Sequence, residues 1–589
     1  MGETSFSLVD DNVAYLAGSA LTDHTKKIAA LTRVAGTKQE AKAFAYIYEA
    51  LKGLGLKPVQ YSPTALISIP MSAMIGIEGL AFTGEPPAMS PNTGPDGVRA
   101  KAVWVSKENW PDFKSFSRNK IVILDGIPTP KTVSALAKAH CAGAVFVNSL
   151  TMITQSNISP VWGCPSSEQF EQLPAIPVVS VTRETGGALK DCILSRPDGD
   201  VVLWTNLDTS WRAIPVLTCE IAAAAATDDY VLFSGHVDSW FHGAMDNAGA
   251  NAAMLEIARV MSRQRQVMKR NLRLAFWSGH SQGRYAGSAW YADEFWQDIH
   301  EHCVAHINID SVGAKNADVL SYAPVMAQTR DLAREYVRKY AGQSFEGTRM
   351  GRAGDQSFWG HGVPSLFITL SEQNPVGEPA ENADFHQLLG GSANTGGLGR
   401  WWHTREDTFE VVDENNLLRD TRIFCACIVR FCTDLILPLK LAEEISEIVS
   451  GVDSWAKKAG EGCDLDDLQS VLNDLSCLVK EIYRLLSGVE FQKRYGAEIN
   501  EMIKKLNHIL VPANYVAGDK YNHDAALQQP AVPSLAVWAD LGAETDAGRS
   551  CMLSITAKRR KNKMIAEFKD AVAIAKQFLR RLEENTPDR

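Results

Sequence analysis

Metal-binding side chains recur at four places in the middle of the chain, each beside glycine or a polar turn. GHVDSW supplies His236 and Asp238, GAMDNAGA supplies Asp246, INIDSVG supplies Asp310, and WWHTREDTFE supplies His403. Imidazole nitrogen and carboxylate oxygen are the donors that a catalytic zinc-type ion accepts. Taken singly, each residue has an ordinary role: Asp246 precedes AGANAAMLEIARVM and suits a helix N-cap, and a lone histidine is most often structural. The combination points further, because His-x-Asp on a strand sets a carboxylate where it can orient a ligating ring. A fifth segment, FWSGHSQGRYAGS at 276–288, ends an apolar run and opens into a small-residue helix, with His280 and Ser281 at its tip. Imidazole is the commonest general base, whereas a serine hydroxyl is neutral and a poor ligand for such an ion.

The elements that must position these groups alternate between about 212 and 437. The runs YVLFSGH, LRLAFWSG, VAHINID and SLFITL are separated by helical stretches such as NAAMLEIARVMSRQ. This is the pattern of an α/β domain with a parallel or mixed central sheet, whose carboxyl edge gathers ligands. The opening residues, to about 75, predict helices and then extended chain, and belong to the same layer. From about 76 to 205, short β runs with many Gly and Pro predict an inserted β-rich domain. Beyond 438 strand signals stop and amphipathic segments such as DLDDLQSVLNDLSCLVKEIYRLL predict a helical bundle, broken by a Pro-rich loop near ALQQPAVPSL.

Composition narrows the class. The 589 residues are 45% apolar and 22% charged, enough for several cores. A net charge of −10 argues against a general nucleic-acid binder, and the one basic run, Lys558 to Lys561, falls in helical sequence. No signal-peptide pattern opens the chain and no run of about 18 apolar residues occurs, so neither secretion nor a membrane partner is expected. Eleven cysteines without a CxxC pair suit a reducing cytoplasm.

The four ligand segments, together with FWSG..QGRYAGS, resemble those of the M28 family of zinc peptidases in order and approximate spacing. The 76–205 insert resembles a protease-associated domain. The tail LNHILVPANYVAGDKYNHDAALQQPAVPSL resembles the dimerisation domain of the glutamate carboxypeptidase II and transferrin receptor branch. The resemblance implies a zinc-exopeptidase-like mixed-sheet α/β domain of residues 1–75 and 206–437, with the insert at 76–205 and a helical dimerisation domain at 438–589. It makes His236 and Asp310 ligands of one metal, Asp246 a bridge, His403 a ligand of a second metal, and Asp238 the residue that orients His236. It also implies two adjacent glutamates where this chain has His280 and Ser281.

The expectation for the site follows from that departure. The second metal loses a carboxylate, leaving three outcomes: one ion, Zn2+ or a substitute such as Mn2+, on His236, Asp246 and Asp310; a rebuilt site that recruits His280; or no ion. His280 is the expected proton-transfer residue, and Ser281 leaves room for a substrate group or a water. Arg284, Tyr285, Arg352, Gln356 and His242 are candidate substrate contacts, with Asp355 and Ser357 in the same Gly-rich loop as Arg352. The expected activity is metal-dependent hydrolysis of a peptide-like or amide bond in a small molecule or short peptide, by a homodimer. C–N elimination with His280 as base, and a non-catalytic binding protein, are the alternatives.

Overall fold

The computed structural model describes residues 3–106, 108–196, 199–374, 395, 397–460, 463–486 and 488–584. Among these, one sheet has eight strands in the order Val59–Tyr61, Val216–Ile221, Asn271–Trp277, Tyr230–His236, Cys303–Asn308, Ser365–Leu366, Pro324–Val325 and Thr348–Arg349. Tyr230–His236 runs parallel to both of its neighbours, with His236 level with Trp277 and Ser234 level with Asn308. All seven of its residues are buried, so it reads as an unbroken apolar run and not as an alternating one. Because three adjacent strands point the same way, the segments that leave them share one edge of the sheet, and that edge carries the site. SLFITL, expected as a full strand, pairs only through Ser365 and Leu366. At Phe367 the backbone enters the left-handed region (φ 63) and the ladder stops.

The second sheet has seven strands, in the order Leu80–Gly84, Thr64–Ile77, Asp200–Ala213, Val98–Val105, Ile121–Asp125, Gly143–Val147 and Val178–Val181. The last four are mutually parallel. Helices Pro130–Lys138 and Arg183–Ser195 begin at Thr129 and Thr182, whose side chains accept the N–H groups of Thr132 and Thr185. The long antiparallel pair Thr64–Ile77 and Asp200–Ala213 leads into and out of this region, so borders drawn at 75/76 and 205/206 fall inside two strands. Among the links from this region to the site, Ser68 N–H donates to the carbonyl of Gln282 at 3.0 Å.

Helices Leu441–Ala459, Asp466–Leu485, Val489–Tyr515 and Ala547–Glu584 follow. Each buries a stripe at helical spacing, as in Leu468, Leu472, Leu475, Val479 and Ile482. A single apolar core runs from the sheet face under Gly249–Met261 and Glu414–Thr433 into these helices. No helix among the described residues is long and apolar enough to cross a membrane.

Candidate metal centre

His236 ends the central strand and is 1% exposed. Its Nδ1 lies 2.8 Å from the backbone carbonyl of Asp238, which fixes the proton there and leaves Nε2 as a lone pair. That nitrogen is 3.0 Å from Asp246 Oδ1 and 3.3 Å from Asp310 Oδ1. Asp246 also reaches the fourth expected ligand, with Oδ2 3.1 Å from His403 Nε2. His403 donates from Nδ1 to the carbonyl of Gln155 at 2.8 Å and stacks on Trp402. All four expected ligands therefore meet at the carboxyl edge of the sheet.

The turns that bring them together are specific. Gly243 has φ 53, and a Cβ there would meet Asp246 O at 2.0 Å, so the Asp246 turn closes only on glycine. Asn247 ties that turn to the next strand end: its Nδ2 donates to Ile309 O and its Oδ1 accepts Ser311 N–H. Asp407, within the HTREDT segment, accepts the N–H groups of Met245 and Asp246 at 2.8 and 3.1 Å. Burial, and then the charge of Asp246, push its carboxyl up to about 7.

The carboxylate of Asp238 is the group expected to orient His236, but the hydrogen bond from the ring goes to the Asp238 backbone carbonyl. Its carboxylate is engaged elsewhere, accepting His280 N–H at 3.1 Å and Ser281 N–H at 2.8 Å. The fully buried Asp238 thus anchors the tip that carries the two departures. The tip turns sharply into the helix Ala286–Glu294, where Gly287 N–H donates to Ser278 O and a Cβ on Gly287 would meet that oxygen at 2.5 Å.

At the tip, the His280 ring stacks on His236 with centroids 3.8 Å apart and planes 12° from parallel. Its Nδ1 donates to Asp355 Oδ2 at 2.8 Å, and Nε2 is 3.9 Å from Asp310 Oδ2. Asp355 is fully buried and also accepts from Ser288 Oγ at 2.7 Å. Burial alone would raise its carboxyl, but the neighbouring His280 holds it below the usual carboxylate range. Ser281 Oγ is buried with no hydrogen-bond partner among the described residues, and Asp246 Oδ1 is in the same condition.

These residues fit a divalent cation. Two ligands each about 2.1 Å from one ion stand roughly 3.0–3.4 Å apart, which matches the His236–Asp246, His236–Asp310 and Asp246–His403 separations. The electrostatics agree. Burial would lower the His236 imidazole, yet Asp310 and Asp246 carry it well above its ordinary value. Burial would raise Asp246, yet His236 and His403 hold it well below the carboxylate range. An enclosed space that binds a proton this firmly is one that favours positive charge.

The other sequence candidates divide. Tyr285 sits at the tip, edge-on to His280 and packed on Trp162. Arg284 lies beside it, over the Tyr285 ring, with Nη2 3.4 Å from Ala526 O. Arg352 and Gln356 are not brought to the ligands. Arg352 is buried over Trp162 and bonds Gln356 O, while the Gln356 amide bonds Phe367 O and Trp359 Nε1. His242 bonds Ala29 O through Nδ1.

Arg33 gave no signal in the sequence, since nothing in LTRVAGTK marks a site residue. Its buried guanidinium donates to the carbonyls of Val237, His242, Gly243, Ile28 and Leu31, clamping the segments on both sides of Asp238. Burial lowers its pKa to about 10.

Comparison with known proteins agrees with this geometry. The description of peptidase family M28 matches residues 218–428, the stretch that holds all four expected ligands and the tip. These residues are a peptidase family M28 domain. The chain is 20% identical over 574 residues to "Probable glutamate carboxypeptidase VP8" of Zea mays, covering 84% of this chain and 78% of that protein. It is 24% identical over 332 residues to carboxypeptidase Q of Xenopus laevis, covering 50% of this chain and 64% of the relative. The structure of a zinc aminopeptidase from Bacillus subtilis superposes with a TM-score of 0.53 at 19% identity, covering 71% of this chain and 94% of the other. The M28 domain accordingly has the zinc-exopeptidase type of α/β fold.

Proposed function

We propose that this chain is a metal-dependent hydrolase that cleaves a peptide-like or amide C–N bond in a small polar substrate. The observation that carries the reading is the run of close buried contacts that joins His236 to Asp246 and Asp310, and Asp246 to His403, inside an M28 domain and beneath a tip anchored by Asp238. Zn2+, or Mn2+ in its place, would be held by these residues and would supply Lewis-acid polarisation of a carbonyl together with a water of lowered pKa.

The chain's own groups do the rest. One imidazole–carboxylate pair, His280 with Asp355, flanks the ligands. It can hold or pass a proton near the scissile nitrogen. Arg284 and Tyr285 border the tip and suit a substrate carboxylate or carbonyl. Residues 76–205, taken as a protease-associated type of insert, roof the site: Gln155 N–H donates to His403 O, Gln155 O accepts from His403 Nδ1, and Asn157 Nδ2 donates to Ser281 O. Residues 438–589 serve as the dimerisation region. Their last helix leaves Met552 and Ile555 more than half exposed, which suits a face covered in a homodimer.

The test is a library of dipeptides and N-acyl amino acids incubated with the zinc-loaded chain and read by mass spectrometry. Cleavage that stops on chelation and is lost in His236→Ala supports the reading. Zinc uptake without consumption of any substrate would favour the binding-protein alternative.

A further inference from the structure

We propose that His280 is a metal ligand, and that His236, His280 and Asp310 hold a single ion. The inference rests on the hydrolase reading above only in taking an ion to be present; it changes which residues bind it and how many ions there are. Among the described residues, one group of three His, Cys, Asp or Glu side chains offers ligand atoms that all lie within 4.8 Å of one another. It consists of His236, His280 and Asp310. Asp246, although 3.0 Å from His236 Nε2, is outside that group.

The two imidazoles are prepared alike. His236 Nδ1 is occupied by the Asp238 carbonyl and His280 Nδ1 by the buried Asp355 carboxylate. Each ring therefore keeps Nε2 as a lone pair, and a carboxylate behind a ligating histidine is the arrangement that orients the ring and raises its basicity. The rings are stacked nearly in parallel, so their in-plane lone pairs run side by side, and the His280 ring tilts toward His236 Nε2 when both bind one ion. The gap from His280 Nε2 to Asp310 Oδ2 is 3.9 Å. That is too long for a hydrogen bond, and it is just under twice a metal–ligand bond of about 2.1 Å. Two lone pairs facing each other across such a gap repel, and a cation between them removes the repulsion.

A second ion lacks support. Asp246 Oδ2 and His403 Nε2 face each other, but the third position at the tip is Ser281, whose neutral hydroxyl is buried and unpartnered. Two protein ligands do not make a closed or a catalytic zinc-type site. The resulting set of two imidazoles and one carboxylate accepts Zn2+, Co2+ or Fe2+.

The experiment titrates the chelator-stripped full chain with Co2+, following visible absorption and metal per chain by elemental analysis, with thermal melting of the metal-free variants as the folding control. The parent should bind one Co2+. His280→Ala should weaken binding by roughly 100-fold or more and shift the absorption bands. Asp355→Asn, which leaves all three ligands, should weaken it by about 10-fold. Ser281→Glu should raise the count to two. His280→Gln, which keeps a donor to Asp355 but replaces the imidazole nitrogen with a weakly ligating amide oxygen, should reproduce the alanine result if His280→Ala does not fold. Unchanged affinity and spectrum in the His280 variants, or two Co2+ in the parent, would overturn the ligand role while leaving the hydrolase reading intact. No Co2+ in the parent would remove both.

Discussion

Replacing Arg33 with Met keeps a chain of similar length in a fully buried space and removes every donor. Five backbone carbonyls now face the guanidinium at 2.6–3.0 Å. Each such bond contributes about 1 kcal/mol net, and an acceptor left buried without a donor costs about 1–3 kcal/mol. Five sites at about 1 kcal/mol give roughly 5 kcal/mol. Part of this is offset because Met carries no charge to bury, so the expected loss is about 3–5 kcal/mol. Val237 and Gly243, two of the residues held, lie beside Asp238 and near Asp246, so Zn2+ affinity should also fall by about 10–100-fold. Urea denaturation of the parent and of Arg33→Met gives the first quantity, and competition with a chromophoric chelator gives the second. Arg33→Lys, with three donors in place of five, should fall between them. A loss under about 1 kcal/mol with unchanged zinc affinity would show that the five short contacts do not hold the segments around Asp238, and the account of that clamp would be wrong.

Asp238→Asn presents an amide NH2 to one of the two tip N–H groups. It should cost about 2 kcal/mol locally, read as roughly 30-fold faster hydrogen exchange at His280 and Ser281; unchanged exchange would mean that the carboxylate does not anchor the tip. In the C-terminal helices, burial and then the charge of Glu447 push Glu444 up to about 7, while its Oε1 accepts from Asn514 Nδ2 at 2.6 Å. A carboxyl raised in the folded state contributes stability that is complete below its unfolded pKa, near 4.3, and is lost as pH rises through about 7. Glu444→Gln should therefore match the parent at acidic pH and exceed it by on the order of 3–4 kcal/mol above neutrality; parallel stability–pH curves would contradict this. Light scattering at low concentration should give twice the 64.5 kDa chain mass, and the mass of a single chain would remove the homodimer.

The sequence carried the candidate ligands further than the groups that support them. His236, Asp246, Asp310 and His403 stood out because each side chain is chemically unusual next to a strand end or a tight turn. Parallel neighbours then bring such ends together whatever the loops do. The buried strand Tyr230–His236 was legible from its unbroken apolar run, whereas SLFITL misled because a left-handed turn at Phe367 leaves no mark in a run of apolar residues. Asp355 lay in a loop already singled out, but its partner His280 is 75 residues away, and no local pattern encodes that pairing. Arg33 was invisible for a similar reason, since its function is to satisfy carbonyls contributed mainly by a distant segment. Arg352 and Gln356, chosen for their polar groups in a Gly-rich loop, bond chiefly to that loop and its neighbours. Composition does not distinguish the two uses.

The most direct measurement of the central claim is turnover of the first cleaved substrate in heavy-oxygen water, with products separated by mass. Hydrolysis by the zinc-loaded chain puts one heavy oxygen into the new carboxylate and releases the amine, and chelation abolishes both products. An amine released together with an unlabelled, unsaturated partner would show elimination, and would contradict the account of this chain as a metal-dependent hydrolase.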